Sequence, residues 1–129
     1  MPKKIINPAN APKPVGPYNQ SVVINNLVYT AGQIPLDPKT MTIVSGDFDA
    51  QVKQVFENLK AIATEAQGNF SQIVKLQIFL TDLDYFSAVN EIMAMYFEKP
   101  YPARAVVEVS RLPKGAEIEM DAILYLGDA

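Results

Sequence analysis

The sequence contains no cysteine and no histidine. Without cysteine there is no disulfide framework, no thiol nucleophile and no thiolate metal site. Without histidine, the commonest general base and the commonest metal ligand are both missing. Chemistry in this chain falls to carboxylates, Arg, Lys, Tyr, Ser/Thr, backbone groups or a bound cofactor. Positive charge is also scarce, with 11 Lys and Arg against 14 Asp and Glu for a net charge of −3. The one basic cluster, Lys3-Lys4 with Lys13 nearby, falls short of the basic patch that nucleic acid requires. No apolar run approaches the roughly 20 residues that span a bilayer. The segment MPKKIINPANAPKP lacks the apolar region of a secretory signal. A soluble, cytoplasmic protein without a membrane partner is expected. There is no G-x-G-x-x-G, P-loop, G-x-S-x-G or H-E-x-x-H motif.

The 129 residues, 49% hydrophobic and 19% charged, fit one globular domain over residues 1–129. The ten prolines gather mainly in residues 2–17, 35–38 and 100–113, which read as loops or element starts. Residues 20–25 and 27–31 are β-rich runs joined at Asn25-Asn26, both able to take positive φ, and predict a tight hairpin. Residues 49–66 carry Val52, Val55, Phe56, Leu59, Ile62, Ala63 and Ala66 at helical spacing, with Asp47 or Asp49 as cap and Gly68 past the end. Residues 73–80 alternate as a strand, with Val74, Leu76, Ile78 and Leu80 on one face. Residues 85–98 predict a second helix, capped by Asp82 or Asp84, with Phe86, Val89, Met93, Tyr96 and Phe97 apolar. Strands follow at 104–110, with Ala105, Val107 and Val109 sharing a face, and at 117–126, with Ile118, Met120, Ala122, Leu124 and Leu126 doing so. A short strand at Lys4–Asn7 completes the set.

The order β-β-α-β-α-β-β predicts an α/β fold, an α+β sandwich of one mixed sheet with both helices packed on one face. The other face is then expected to carry Lys75, Gln77 and Phe79, then Arg104, Val106 and Glu108, then Glu119, Asp121, Ile123 and Tyr125. It is too apolar for a simple solvated surface and reads as an oligomer interface with grouped charges. The competing reading is an ordinary mixed surface.

Five places can carry chemistry. Arg104, in PYPARAVVEV, offers a planar fork for a carboxylate; an ion pair with Glu108, Glu117 or Glu119 is the alternative. Glu119, in AEIEMDAIL, can position or activate a water, or can be a solvated or Arg-paired carboxylate. Tyr18 follows the rigid Gly16-Pro17 turn and can cover a small pocket or pack as a loop aromatic. Asn90 borders the apolar face of the second helix and can pin a loop or reach a ligand. Gly32, in TAGQIP, admits close approach of a ligand to the backbone or marks a β-bulge.

Together these segments resemble the RidA (YjgF) reactive intermediate deaminases. PARAVVEVSRLPKGAEIEM matches that family's C-terminal signature: a P-x-R start, an R-L-P turn and a closing apolar-Glu-apolar triplet. GPYNQS, TAGQIPLDP and DLDYFSAVNEIMAMYF are similar to its other segments, in order over nearly the whole chain. The resemblance implies a fold like trimeric chorismate mutase and a homotrimer with sites in the clefts between subunits. It implies hydrolysis of enamine and imine intermediates, such as 2-aminoacrylate and 2-iminobutanoate, to 2-keto acids and ammonia, without cofactor or metal. It further implies that Arg104 grips the substrate carboxylate and Glu119 holds a water near the reacting carbon. Tyr18, Ala31, Gly32, Asn90 and Val106 would line the site. Where the family often has Ser-Cys after the arginine, this chain has Ala105-Val106; it has Ala31 for Ser before the glycine and Asp121 for Glu after the site glutamate. A non-catalytic 2-keto-acid-binding protein, an RNA-cleaving translation inhibitor and a structural trimer with chaperone-like surface behaviour are the alternatives.

Overall fold

The computed structural model describes residues 3–127. Six strands form one sheet: β1 (Lys4–Ile6), β2 (Ser21–Ile24), β3 (Leu27–Thr30), β4 (Ile73–Leu80), β5 (Ala103–Glu108) and β6 (Ile118–Tyr125). Their spatial order is β1-β2-β3-β6-β4-β5. Only β4 and β5 run parallel, as a strand–helix–strand crossover requires. The helices are α1 (Phe48–Glu65) and α2 (Phe86–Tyr96). The expected architecture of a mixed sheet with two helices on one face is the one observed.

Local chemistry explains the element ends. Asn25 takes positive φ (54°) at the β2–β3 turn. Asp47, rather than Asp49, caps α1 by accepting from the Ala50 N–H at 3.0 Å. At the other end Gly68 N–H donates to the Ala63 carbonyl at 2.8 Å and Gln67 N–H to Thr64 at 3.0 Å. That is a Schellman closure, in which Gln67, not Gly68, occupies the left-handed position at φ 65°. Asp82 accepts from the Asp84 N–H and caps a single 3-10 turn at Leu83–Tyr85 that leads into α2.

All seven apolar residues named from the periodicity are buried, six in α1 and Ala66 at its C-cap, and they meet Leu76, Ile78, Leu80, Ile118, Met120, Ala122 and Leu124 from the sheet. Burying Phe56, Leu59 or Ile62 contributes about 1.5–3 kcal/mol each. Phe56 also packs with Phe70, Tyr96 and Phe97 in an aromatic cluster.

Three expectations are corrected. Val74 does not face the helices: the β4–β6 register slips between Ile73 and Lys75, so Ile73 takes the inner place and Val74 is 47% exposed. A bulge of this kind inverts the alternation for the residues before it. In β5 the faces are reversed. Arg104 pairs with Leu76 and Val106 with Ile78, both buried inner residues, so Arg104 and Val106 lie on the helix side. Ala105 and Val107 point to the outer face and are exposed. The misleading signal is that the outer face is itself apolar, so alternation alone cannot tell the sides of this edge strand apart. Finally, Phe86 is 40% exposed and lies over Arg104 rather than in the core, while Ile92 is buried with Val89 and Met93.

Candidate functional site

The residues singled out from the sequence fall into two groups on opposite faces of the sheet. The first surrounds Glu119. Pairing of Glu119 with Phe79 puts its side chain on the outer face, at one end of the sheet. It lines a depression of about 220 Å³ with Tyr18, Gly32, Gln33, Pro12, Lys13 and Lys114.

The backbone there is shaped by a bulge. Tyr29 pairs with Ile123, but the next bridge is Gln33 to Met120, so β3 carries one extra residue over this stretch. Thr30 Oγ1 fills the ladder by accepting from the Ala122 N–H at 3.0 Å, and Ala31 N–H stays bound to the Gln20 carbonyl. The surplus falls at Ala31-Gly32 and bends the chain toward Glu119. A Cβ on Gly32 would collide with the Glu119 carboxylate and sit 2.9 Å from its carboxyl carbon. Gly32 stands at the bulge, and the group its backbone runs close to is the Glu119 side chain.

Three buried amides fix the loops around this depression. Gln20 Nε2 donates to the carbonyls of Ala11 and Pro12, tying down the N-terminal loop. Asn58 on α1 donates to the Ile34 and Leu36 carbonyls. Gln51 exchanges hydrogen bonds with Glu117, its Nε2 donating to Glu117 Oε1 and its Oε1 accepting from the Glu117 N–H, which holds the start of β6. These supports went unread in the sequence, because an isolated Gln or Asn carries no local signal of burial. Tyr18, 46% exposed, is folded back so that its hydroxyl accepts from the Val15 N–H at 3.4 Å.

The Glu119 carboxyl is pushed above its ordinary range, first by desolvation and then by repulsion from Asp121 two residues on. Desolvation raises Asp121 as well. A carboxylate shifted this way is a stronger base once deprotonated.

The second group surrounds Arg104. Its Nη1 donates to Asn90 Oδ1 at 2.6 Å and lies 3.6 Å from Met93 Sδ, and its Cζ is 5.1 Å from the centre of the Phe86 ring. Asn90, Met93, Ala94, Tyr101, Pro102 and Arg104 line a depression of about 310 Å³. The three acidic residues weighed as ion-pair partners are engaged or directed elsewhere. Glu108 accepts from the Leu83 N–H, Glu117 from Gln51, and Glu119 faces the other side of the sheet. Among the described residues no salt bridge involves Arg104, and Nη2 and Nε have no side-chain or backbone acceptor. One edge of the fork is held and the other is presented.

Val106 follows on the same face, packed against the core and outside both depressions, as is Ala31. Among the described residues no group of three or more His, Cys, Asp or Glu is placed to hold a metal ion, and no helix is long and apolar enough to cross a membrane.

The chain matches the model of the family described as Endoribonuclease L-PSP over residues 8–126. It is 49% identical over 125 residues to a RutC family protein of Pyrococcus abyssi, covering 97% of this chain and 98% of that one. It is 38% identical over 125 residues to the human 2-iminobutanoate/2-iminopropanoate deaminase, covering 97% and 91%. The structure superposes on RidA from a Psychrobacter species with a TM-score of 0.91 at 45% identity, covering 95% and 98%. Escherichia coli TdcF with bound serine gives 0.91 at 38% identity, covering 96% and 99%. With matches of this extent in sequence and in fold, the chain belongs to the RidA/YjgF/RutC family.

Proposed function

We propose that this protein hydrolyses short 2-imino acids, such as 2-iminobutanoate and the imine of 2-aminoacrylate, to 2-keto acids and ammonia, at sites completed between subunits of a homotrimer. The observation that carries the reading is the separation of Arg104 from Glu119. Each has its own open depression, on opposite faces of one sheet. A second copy of the chain is the economical way to bring them together. The outer face supplies the contact surface, with Tyr29, Val74, Val107 and Tyr125 exposed on it and no helix covering it among the described residues. The naming of the human and mite relatives as 2-iminobutanoate/2-iminopropanoate deaminases supports the substrate class.

The chemistry asks for placement more than power. Arg104 of one subunit takes the substrate carboxylate through Nη2 and Nε. The partner subunit's Glu119 orients a water against the C=N carbon and accepts its proton as oxygen adds. Addition to the protonated imine gives a neutral carbinolamine; Glu119 returns the proton to its nitrogen, the C–N bond breaks as the hydroxyl proton passes back to the carboxylate, and ammonia leaves a ketone behind. The raised Glu119 pKa fits a group that both takes and returns a proton. Tyr18 walls the cleft, and Gly32 lets the backbone run close beside the carboxylate.

A coupled assay with threonine dehydratase tests this. Addition of the protein should accelerate keto-acid release beyond spontaneous hydrolysis. Calorimetric binding of 2-ketobutyrate with no acceleration would leave a keto-acid-binding protein and remove the enzyme.

A further inference from the structure

We propose that α2 provides an uncharged cradle for Arg104, in which Phe86 and Met93 act with Asn90 as positioning residues that hold the guanidinium without neutralising it. The inference rests on the reading of Arg104 as the carboxylate anchor and adds what makes it one.

The three residues stand at positions 86, 90 and 93, a spacing of four and then three that places them along one side of a helix. The β5 register turns Arg104 to that side. Each contact is of a different kind. Asn90 Oδ1 satisfies one donor at 2.6 Å. Met93, buried at 7% exposure, sets a polarizable sulfur 3.6 Å from the same nitrogen. The Phe86 ring offers its negative face to the cation at 5.1 Å, within the range where such attraction operates.

None of the three carries charge, and that is the functional point. An arginine beside an apolar wall ordinarily finds a carboxylate. Such a partner would fix its position, but it would also compete with the carboxylate of a ligand. A ring face, a thioether and an amide oxygen restrict the side chain and leave its full charge and its Nη2–Nε edge for an incoming anion. Phe86 is therefore exposed for a reason other than poor packing: its ring replaces the counter-ion.

The test separates the ring's electrostatics from its bulk. Phenylalanines of increasing fluorination, introduced only at position 86, keep shape and apolarity while weakening the negative ring face. Affinity for 2-ketobutyrate, measured by calorimetry on the full-length protein, should fall step by step by about 3- to 10-fold in all. Rotation about Nε–Cζ of Arg104, followed by nitrogen NMR of the guanidinium, should quicken in parallel while the melting temperature stays level. Phe86→Leu should behave as the most fluorinated member, and Phe86→Trp should restore affinity. A flat binding series overturns the positioning role, whatever the rotation does. If the unmodified protein binds no 2-keto acid, the functional reading falls by itself. The rotation series then decides the cradle alone: graded rates support it and flat rates overturn it.

Discussion

Arg104 and Glu119 occupy opposite faces of one sheet, because Arg104 pairs with Leu76 and Glu119 with Phe79. Those two β4 residues are three apart on a strand whose side chains alternate. Each lines its own depression, and the two side chains cannot meet within one chain.

This separation predicts complementation between impaired variants. Arg104→Ala alone should be inactive, and Glu119→Gln alone should retain only about a hundredth of wild-type turnover. After unfolding and refolding together in equal amounts, about a quarter of all sites should combine an intact Arg104 with an intact Glu119 from the neighbour in a closed ring. Recovery of about a quarter of wild-type turnover in the coupled assay is the expected result. No recovery, with mixed oligomers demonstrated by mass, would place both residues in one subunit's site or in none.

Arg104→Ala should abolish deamination and weaken 2-ketobutyrate binding without unfolding the protein, since no ion pair with the described residues is lost. Its melting temperature should fall modestly, by the loss of the hydrogen bond to Asn90 and the contact with the Phe86 ring, about 1 kcal/mol each. Arg104→Lys should rescue poorly, because an ammonium cannot present two parallel donors. Unchanged turnover in a folded Ala variant would remove the anchor role.

Glu119→Gln should lower turnover by roughly 10²-fold, the scale of a lost general base. Affinity for a 2-keto acid should hold or improve slightly, because a negative charge has gone. Parallel loss of binding and turnover would reassign Glu119 to holding the cleft in shape.

The pH dependence follows from the direction of the Glu119 shift. A base with a raised pKa is protonated and idle on the acid side, so turnover should rise with pH through that raised value. Asp121→Asn removes the like charge that contributes to the shift and should move this acid limb to lower pH. The stability linkage has the opposite sense. The fold favours the protonated forms of both carboxyls, a contribution complete below their unfolded pKa values and lost as pH rises through the raised ones. Asp121→Asn should therefore raise the melting temperature at neutral pH relative to the parent, with the gain shrinking in acid. A pH–rate limb that does not move would detach the pH dependence from this pair.

Gln67→Gly should stabilise the protein by about 1 kcal/mol, because a side chain in the left-handed region carries a steric penalty that glycine avoids. Gly68 has the opposite need: a Cβ there would stand 2.8 Å from a Leu126 methyl. Urea unfolding of Gln67→Gly and Gly68→Ala should move the midpoint in opposite directions.

Element identity, order and most of the core were legible in the sequence. Helical spacing from Val52 to Ala66 and alternation from Ile118 to Leu124 are local properties of the chain, tied directly to burial by the geometry of helix and strand. The candidate site residues were legible as types: a guanidinium fork, a strand carboxylate, a glycine at a bulge. Only the tertiary structure decided on which face of the sheet each stands. The facing of β5 depends on its register against β4, a pairing between segments far apart in sequence. In an edge strand whose outer side is also apolar, alternation is the same for either face. The β4 bulge at Val74 is likewise invisible locally, since it arises from fitting β4 against β6. For the same reason Phe86 read as core: its helical position places it on the inner side of α2, but the guanidinium it covers arrives from β5, whose path no residue of α2 records.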